Sequence, residues 1–306
     1  MSVPVIPFAE GQARLDWMAL TQALEDGHKM PRAEIGDTFL RRGPDTLLSR
    51  SAWIDGMGLA VKSATIFPGN AAHGQPSING GVTLYSDADG LLEAIIDFHL
   101  VTKWKTAGDS LLGALKLARR DSRRILIVGA GTVGHSLREA YGAGFPGADF
   151  TIWNRSVDKA RAFAASHPGM QVAEDLETAV KTADIVTCAT MTSTPILRGE
   201  WLQPGQHIDL IGAYRADMRE ADDLAMQRAQ VFVDSRDTTI GHIGEIKDPL
   251  ESGAITKADI LADYYDLGAG AFRRGSDDEI TLFKNGGGAH LDLMTSRYIL
   301  SAWTGG

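Results

Sequence analysis

The stretch "ILIVGAGTVG", residues 125–134, constrains the fold more than any other. Its apolar run reads as a buried strand, and Gly129, Gly131 and Gly134 follow at GxGxxG spacing where a helix opens. The first glycine allows the tight turn, the second lets the backbone approach a pyrophosphate, and the third permits close packing of helix on strand. With Ala130, Thr132 and Val133 between them, these residues form a candidate dinucleotide-binding loop.

The sequence around the loop follows the same grammar. From Arg124 onward, "RILIVGAG", "DFTIWNR", "DIVTCAT", "HIDLIGA" and "QVFVD" alternate with amphipathic stretches, the pattern of a parallel sheet covered on both faces. Upstream the pattern differs. A helix is expected over 16–26, stopped by Gly27, and then "GLAVKSATIF", "GVTLYS" and "LLEAIID" give short β-type runs within 45–97 without helices between them, which favours an antiparallel sheet. Ala107, Leu111, Leu115 and Ala118 form the stripe of a helix over 102–119. Near the end, "ITLFKNGGGAH" predicts a strand and glycine turn, and "LDLMTSRYILSAW" a terminal helix. The expected fold is α/β: a doubly wound Rossmann sheet over 121–285, and a smaller α+β domain over 1–120 joined by the helix at about 286–306. The boundary near Asp121 rests on the change of pattern alone, and a chain of 306 residues is long enough for two domains.

About twenty residues past the last glycine, such sites place a carboxylate that accepts hydrogen bonds from the adenosine ribose and repels a 2'-phosphate. Here the position reads Asn154, followed by Arg155 and Ser156. An amide tolerates the phosphate, and a guanidinium meets it with charge-assisted hydrogen bonds, supported by the serine hydroxyl. NADPH is therefore favoured as the cofactor; NADH stays open, since Arg155 at a helix start also fits a solvated side chain.

Composition narrows the partners. A net charge of −9 opposes binding to nucleic acid or an anionic membrane, and no apolar tract approaches the roughly 18 residues of a membrane span. The N-terminal stretch does not read as a signal peptide, so a cytoplasmic location is expected. The eight histidines are scattered without metal-ligand spacing, so no metal is expected. The single cysteine, Cys188, lies in the apolar run "IVTCAT" and reads as an inert core thiol.

Several segments in order, among them "VKSATIFPGN", "GQPSINGGVTLYSDADG", "VTKWKTAGDSLLGALKLAR", "CATMTSTPIL", "VFVDSRD" and "TLFKNGGGAHLD", together with the glycine loop, resemble the ornithine cyclodeaminase and μ-crystallin family over nearly the whole chain. The resemblance implies a homodimer, with a substrate and dimerisation domain built from the N-terminal part and the last helix. It implies substrate-carboxylate anchors at Lys62 and Lys105, the latter standing where the family usually has arginine; Arg50 is a third candidate anchor. Thr190 and Gly212 join the cofactor-binding candidates. Lys62 shares its strand face with Ala60 and Ala64, small neighbours that leave room for a ligand. For each of these cations the alternative is an ordinary surface or packing residue.

One departure from the family bears on the reaction. In "LIGAYRADMREAD", Tyr214 stands where cyclodeaminases and alanine dehydrogenases commonly carry aspartate, with Asp217 three residues on as a possible substitute acid. Cyclodeamination needs that acid for steps beyond hydride transfer. Reduction of a ready-made imine needs a hydride, an anchored carboxylate and one proton, which a tyrosine hydroxyl or water can deliver. The resemblance thus favours an oxidoreductase of proline metabolism, acting on the C=N bond of small cyclic imino acids such as 1-pyrroline-2-carboxylate. The alternatives are an ornithine cyclodeaminase and a μ-crystallin-like protein that binds NADPH and a small acid without turnover.

Overall fold

The structure, a computed structural model, describes residues 3–305. The chain divides into two compact units, residues 1–105 with 288–306, and residues 106–287.

The first unit is built on six strands: β1 (Val5–Ile6), β2 (Glu34–Arg42), β3 (Asp45–Ile54), β4 (Gly58–Ile66), β5 (Ile78–Tyr85) and β6 (Leu92–Asp97), in the order β1-β6-β5-β4-β3-β2. All neighbours are antiparallel except β1 and β6, so the sheet is mixed rather than purely antiparallel. Strands β2 and β3 form a long hairpin that the sequence pattern did not announce, turning at Gly43 with φ of +56°. The helix Ala289–Thr304 packs on β3, β4 and the helix Trp17–His28. That earlier helix is capped by Asp16, whose side chain accepts the Ala19 N–H at 2.8 Å. It does not stop at Gly27, as expected, but runs through it to His28. The glycine serves packing: a Cβ there would lie 2.7 Å from the Met294 sulfur.

The second unit holds eight strands, all parallel: β7 (Arg124–Val128), β8 (Asp149–Trp153), β9 (Gln171–Val172), β10 (Ile185–Cys188), β11 (His207–Leu210), β12 (Gln230–Val233), β13 (Ile260–Ala262) and β14 (Thr281–Lys284). Their order is β13-β12-β14-β11-β10-β7-β8-β9. From β7 the chain winds one way to β8 and β9, then crosses back to β10 on the other side. This is the topological switch of a Rossmann sheet, and the crevice at the strand ends there is where such sheets bind ligands. The core is aliphatic and continuous, with Val128, Val186, Cys188, Ile208, Leu210 and Leu282 all nearly inaccessible.

Candidate active site

The glycine loop lies at the switch. Gly129 has φ of +118°, a conformation that L side chains rarely adopt, and a Cβ there would stand 2.7 Å from the Ala189 carbonyl beyond β10. At Gly134 a Cβ would collide with the Gly129 carbonyl, so helix Thr132–Gly144 can approach the loop this closely only without a side chain. Gly131 begins that helix with no side-chain cap and open space where a Cβ would be. Uncapped N–H groups beside open space suit a pyrophosphate, so the residues present fit a dinucleotide.

Asn154 follows β8, and its carbonyl oxygen accepts the Ala130 N–H at 3.2 Å while its amide donates to the Ser156 carbonyl at 3.0 Å. Arg155 and Ser156 are exposed, and the Arg155 guanidinium has no ion-pair partner among the described residues. Across the switch, Glu220 clamps two more loops. It accepts from the Thr190 N–H and hydroxyl, both at 2.7 Å, and from the Gly212 N–H at 2.6 Å. Glu245 in turn accepts the Glu220 and Ala221 N–H groups at 2.8 and 2.9 Å. Burial pushes both carboxyls upward, against the pull of Lys284, and Glu245 reaches about 7. The sequence reading picked out Thr190 and Gly212 but missed the acid that holds them.

Tyr214 is 57 % exposed, and among the described residues its hydroxyl meets only the Arg215 guanidinium, at 3.4 Å. Asp217 is also at the surface, gripped by Arg215 at 2.8 and 3.0 Å, hydrogen bonds that hold its carboxyl below the usual range. Cys188 is fully buried, and burial pushes its thiol well above the usual range.

In the first unit, strand register places Asp37, Arg50 and Lys62 directly opposite one another across β2, β3 and β4. Two cations facing each other across a ladder repel, and each is met by a carboxylate. Arg50 forks onto Asp37, its closest contact 2.7 Å, and the Lys62 ammonium donates to Asp292 Oδ1 at 2.9 Å. Lys62 also lies over the Phe98 ring, 4.7 Å from its centroid. Ala60 and Ala64 flank it on the buried face of β4. Burial pushes the Lys62 ammonium below the usual lysine range; Asp292 counteracts this, and Lys105 and Arg50 add to it. Lys105 is itself 9 % exposed and has no carboxylate partner among the described residues. His290 faces the same cations, and its burial, with His28, Lys105, Arg50 and Arg32 nearby, holds it well below the usual imidazole range. The structure therefore brings Arg50, Lys62 and Lys105 together and adds Asp37, His290 and Asp292, which sequence reasoning passed over.

Fold and site together define a two-unit protein: a Rossmann unit with a dinucleotide loop, and a sheet unit carrying a buried cluster of cations. The chain belongs to the ornithine cyclodeaminase/mu-crystallin family, whose model matches residues 52–306. It is 50 % identical over 306 residues to a Delta(1)-pyrroline-2-carboxylate reductase of Paracoccus denitrificans, a match covering 98 % of this chain and 97 % of that one. It is 33 % identical over 249 residues to the ketimine reductase mu-crystallin of Rattus norvegicus, covering 81 % and 77 %. A solved Delta(1)-pyrroline-2-carboxylate reductase of Thermococcus litoralis, in complex with NADH and L-proline, shares the fold with a TM-score of 0.88 at 23 % identity, covering 97 % and 96 %.

Proposed function

We propose that this protein is an NAD(P)H-dependent reductase of small cyclic imino acids, converting Δ1-pyrroline-2-carboxylate and close analogues to L-proline and its analogues. The observation that carries the reading is the charge pairing around Lys62: Arg50 is paired with Asp37 and Lys62 with Asp292, while Lys105 has no carboxylate partner among the described residues. One substrate carboxylate supplies the missing charge. The end-to-end likeness to a Delta(1)-pyrroline-2-carboxylate reductase, at half identity, supports the same reaction.

A bound reduced nicotinamide supplies the hydride. The chain holds the dinucleotide by the 129–134 loop, Asn154, Arg155, Ser156, Thr190 and Gly212. Lys105 anchors the substrate carboxylate and Lys62 presents a further N–H beside it, which fixes the imine carbon for an oriented transfer. Lys62 is the positioned donor for the one proton that the ring nitrogen must gain; among the described residues the exposed Tyr214 hydroxyl has one long contact, 3.4 Å, to Arg215. NADPH is the preferred cofactor, on the strength of the unpaired Arg155.

The working form is a cytoplasmic homodimer. Leu40, Leu47 and Trp53 are exposed on the side of the sheet turned away from Lys62, Trp53 lining a cavity of about 300 Å³ with Leu59, Val61 and Tyr85, and a second copy would cover them. Among the described residues no helix is long and apolar enough to cross a membrane.

The test is a substrate panel with NADPH: five- and six-membered cyclic imino acids are expected to drive cofactor oxidation, and a 2-oxo acid without amine is not. No oxidation with either ring overturns the reading.

A further inference from the structure

We propose that Asp292 is a positioning residue for the reduction: it keeps the Lys62 ammonium charged and aimed within the cation cluster. The inference rests on the reductase reading above, which gives Lys62 a proton to deliver.

The geometry begins with the terminal helix. Asp292 stands in its first turn, is 2 % exposed, and sends Oδ1 to Lys62 at 2.9 Å across a sequence separation of 230 residues. Its other oxygen, Oδ2, is buried with no hydrogen-bond partner among the described residues. A buried ion pair with an unmet acceptor is a poor way to stabilise a fold, since an apolar pair of similar volume does as well or better. Its worth lies in what the charge does to its neighbour.

Lys62 has every other reason to be neutral. Arg50 faces it from β3, Lys105 bears on it from the helix Phe98–Leu117, and its surroundings are buried. Asp37 on β2 is taken up by Arg50. His28 and His290, the imidazoles of the two packed helices, are both held below the usual imidazole range, so both are neutral and add no charge to the cluster. Asp292 is thus the carboxylate that balances Lys62. Without it, three cations would face one another with a single anion; guanidinium keeps its proton, and Lys62, already pushed downward by burial and by both neighbours, is the one to shed it. The Phe98 ring and the Asp292 oxygen also fix the ammonium from two sides, so the donor is oriented as well as charged.

The test uses the full-length protein and the pH profile of kcat/KM for the cyclic imine. In Asp292→Asn the alkaline limb is expected to move to lower pH by about one pH unit or more, with NADPH affinity retained, because the amide cannot hold the ammonium charged. The substrate's own titration is common to both proteins and cancels. Asp292→Glu is expected to restore the limb toward its original place. An alkaline limb left in place by Asp292→Asn, in a protein that still binds NADPH, overturns the proposal while leaving the reductase reading intact. An unmodified protein inert toward imino acids overturns the reading and the proposal together. Should Asp292→Asn fail to fold, lysine ¹⁵N NMR of the unmodified protein, assigned with Lys62→Arg, answers directly: the ammonium is expected to remain charged through about pH 8, and an amine already neutral near pH 7 contradicts the proposal.

Discussion

Asn154 is hydrogen-bonded to Ala130: the amide side chain that follows β8 accepts the backbone N–H of the glycine loop at 3.2 Å, and its NH₂ donates to the Ser156 carbonyl at 3.0 Å. This bond ties the glycine loop to the segment that follows β8. On the proposed reading, Asn154 is held in the loop and Arg155 is the residue left to meet a 2'-phosphate.

Arg155→Ala is therefore expected to weaken NADPH by about 1.5 to 3 kcal/mol, tenfold or more, and to leave NADH nearly unchanged, as loss of charged hydrogen bonds does. Fluorescence titration with each cofactor checks this. Equal losses would remove the phosphate contact from the account.

Lys105→Ala removes the buried cation that has no carboxylate partner among the described residues. The expected result is a KM for the cyclic imino acid raised about tenfold or more, with NADPH affinity retained, since the interaction lost is a charged hydrogen bond to substrate. Steady-state kinetics with the imine varied at saturating NADPH measures it; an unchanged KM would move the carboxylate elsewhere.

Tyr214→Phe is expected to keep turnover within about threefold, because an exposed hydroxyl held by one long contact to Arg215 makes a poor proton donor. A fall of about a hundredfold would place the proton on Tyr214 instead of Lys62.

The pair Glu220 and Glu245 links stability to pH. Burial raises Glu245 to about 7, whereas an unfolded glutamate titrates near 4.5, so the folded protein retains a proton there that the unfolded chain has released. The contribution to stability is complete below the unfolded value and is lost as pH rises through about 7. Relative to Glu245→Gln, the unmodified protein is expected to lose on the order of 2 kcal/mol between pH 5 and 8, read from urea unfolding at each pH. Parallel pH curves for the two proteins would refute the assignment.

Much of this was legible residue by residue. Five of the Rossmann strands announced themselves because buried parallel strands read as unbroken apolar runs, whereas Lys62 stood out through the family resemblance, supported by the small residues that share its strand face. Strand β2 carries no such signal: all nine of its residues are exposed, so no alternation marks it, and Asp37 went unnoticed with it. Asp292 was hidden for a different reason. Nothing in "AHLDLM" distinguishes a buried partner of a lysine 230 positions away from a surface acid on a helix. Glu220 likewise acts on Thr190 and Gly212 largely through backbone N–H groups, which leave no trace in residue identity; only the Thr190 hydroxyl adds a side-chain contact. Gly27 misled because propensity treats glycine as a stop, whereas contact with Met294 requires its smallness inside the helix.

The account stands most directly on the balance of cofactor and product. Purified protein with NADPH and Δ1-pyrroline-2-carboxylate is expected to oxidise one NADPH for each L-proline formed, and with ornithine and NAD to release little or no ammonia. Conversion of ornithine to proline and ammonia with no net consumption of cofactor would contradict it, and would direct attention to Asp217 as the acid replacing the aspartate that Tyr214 displaces.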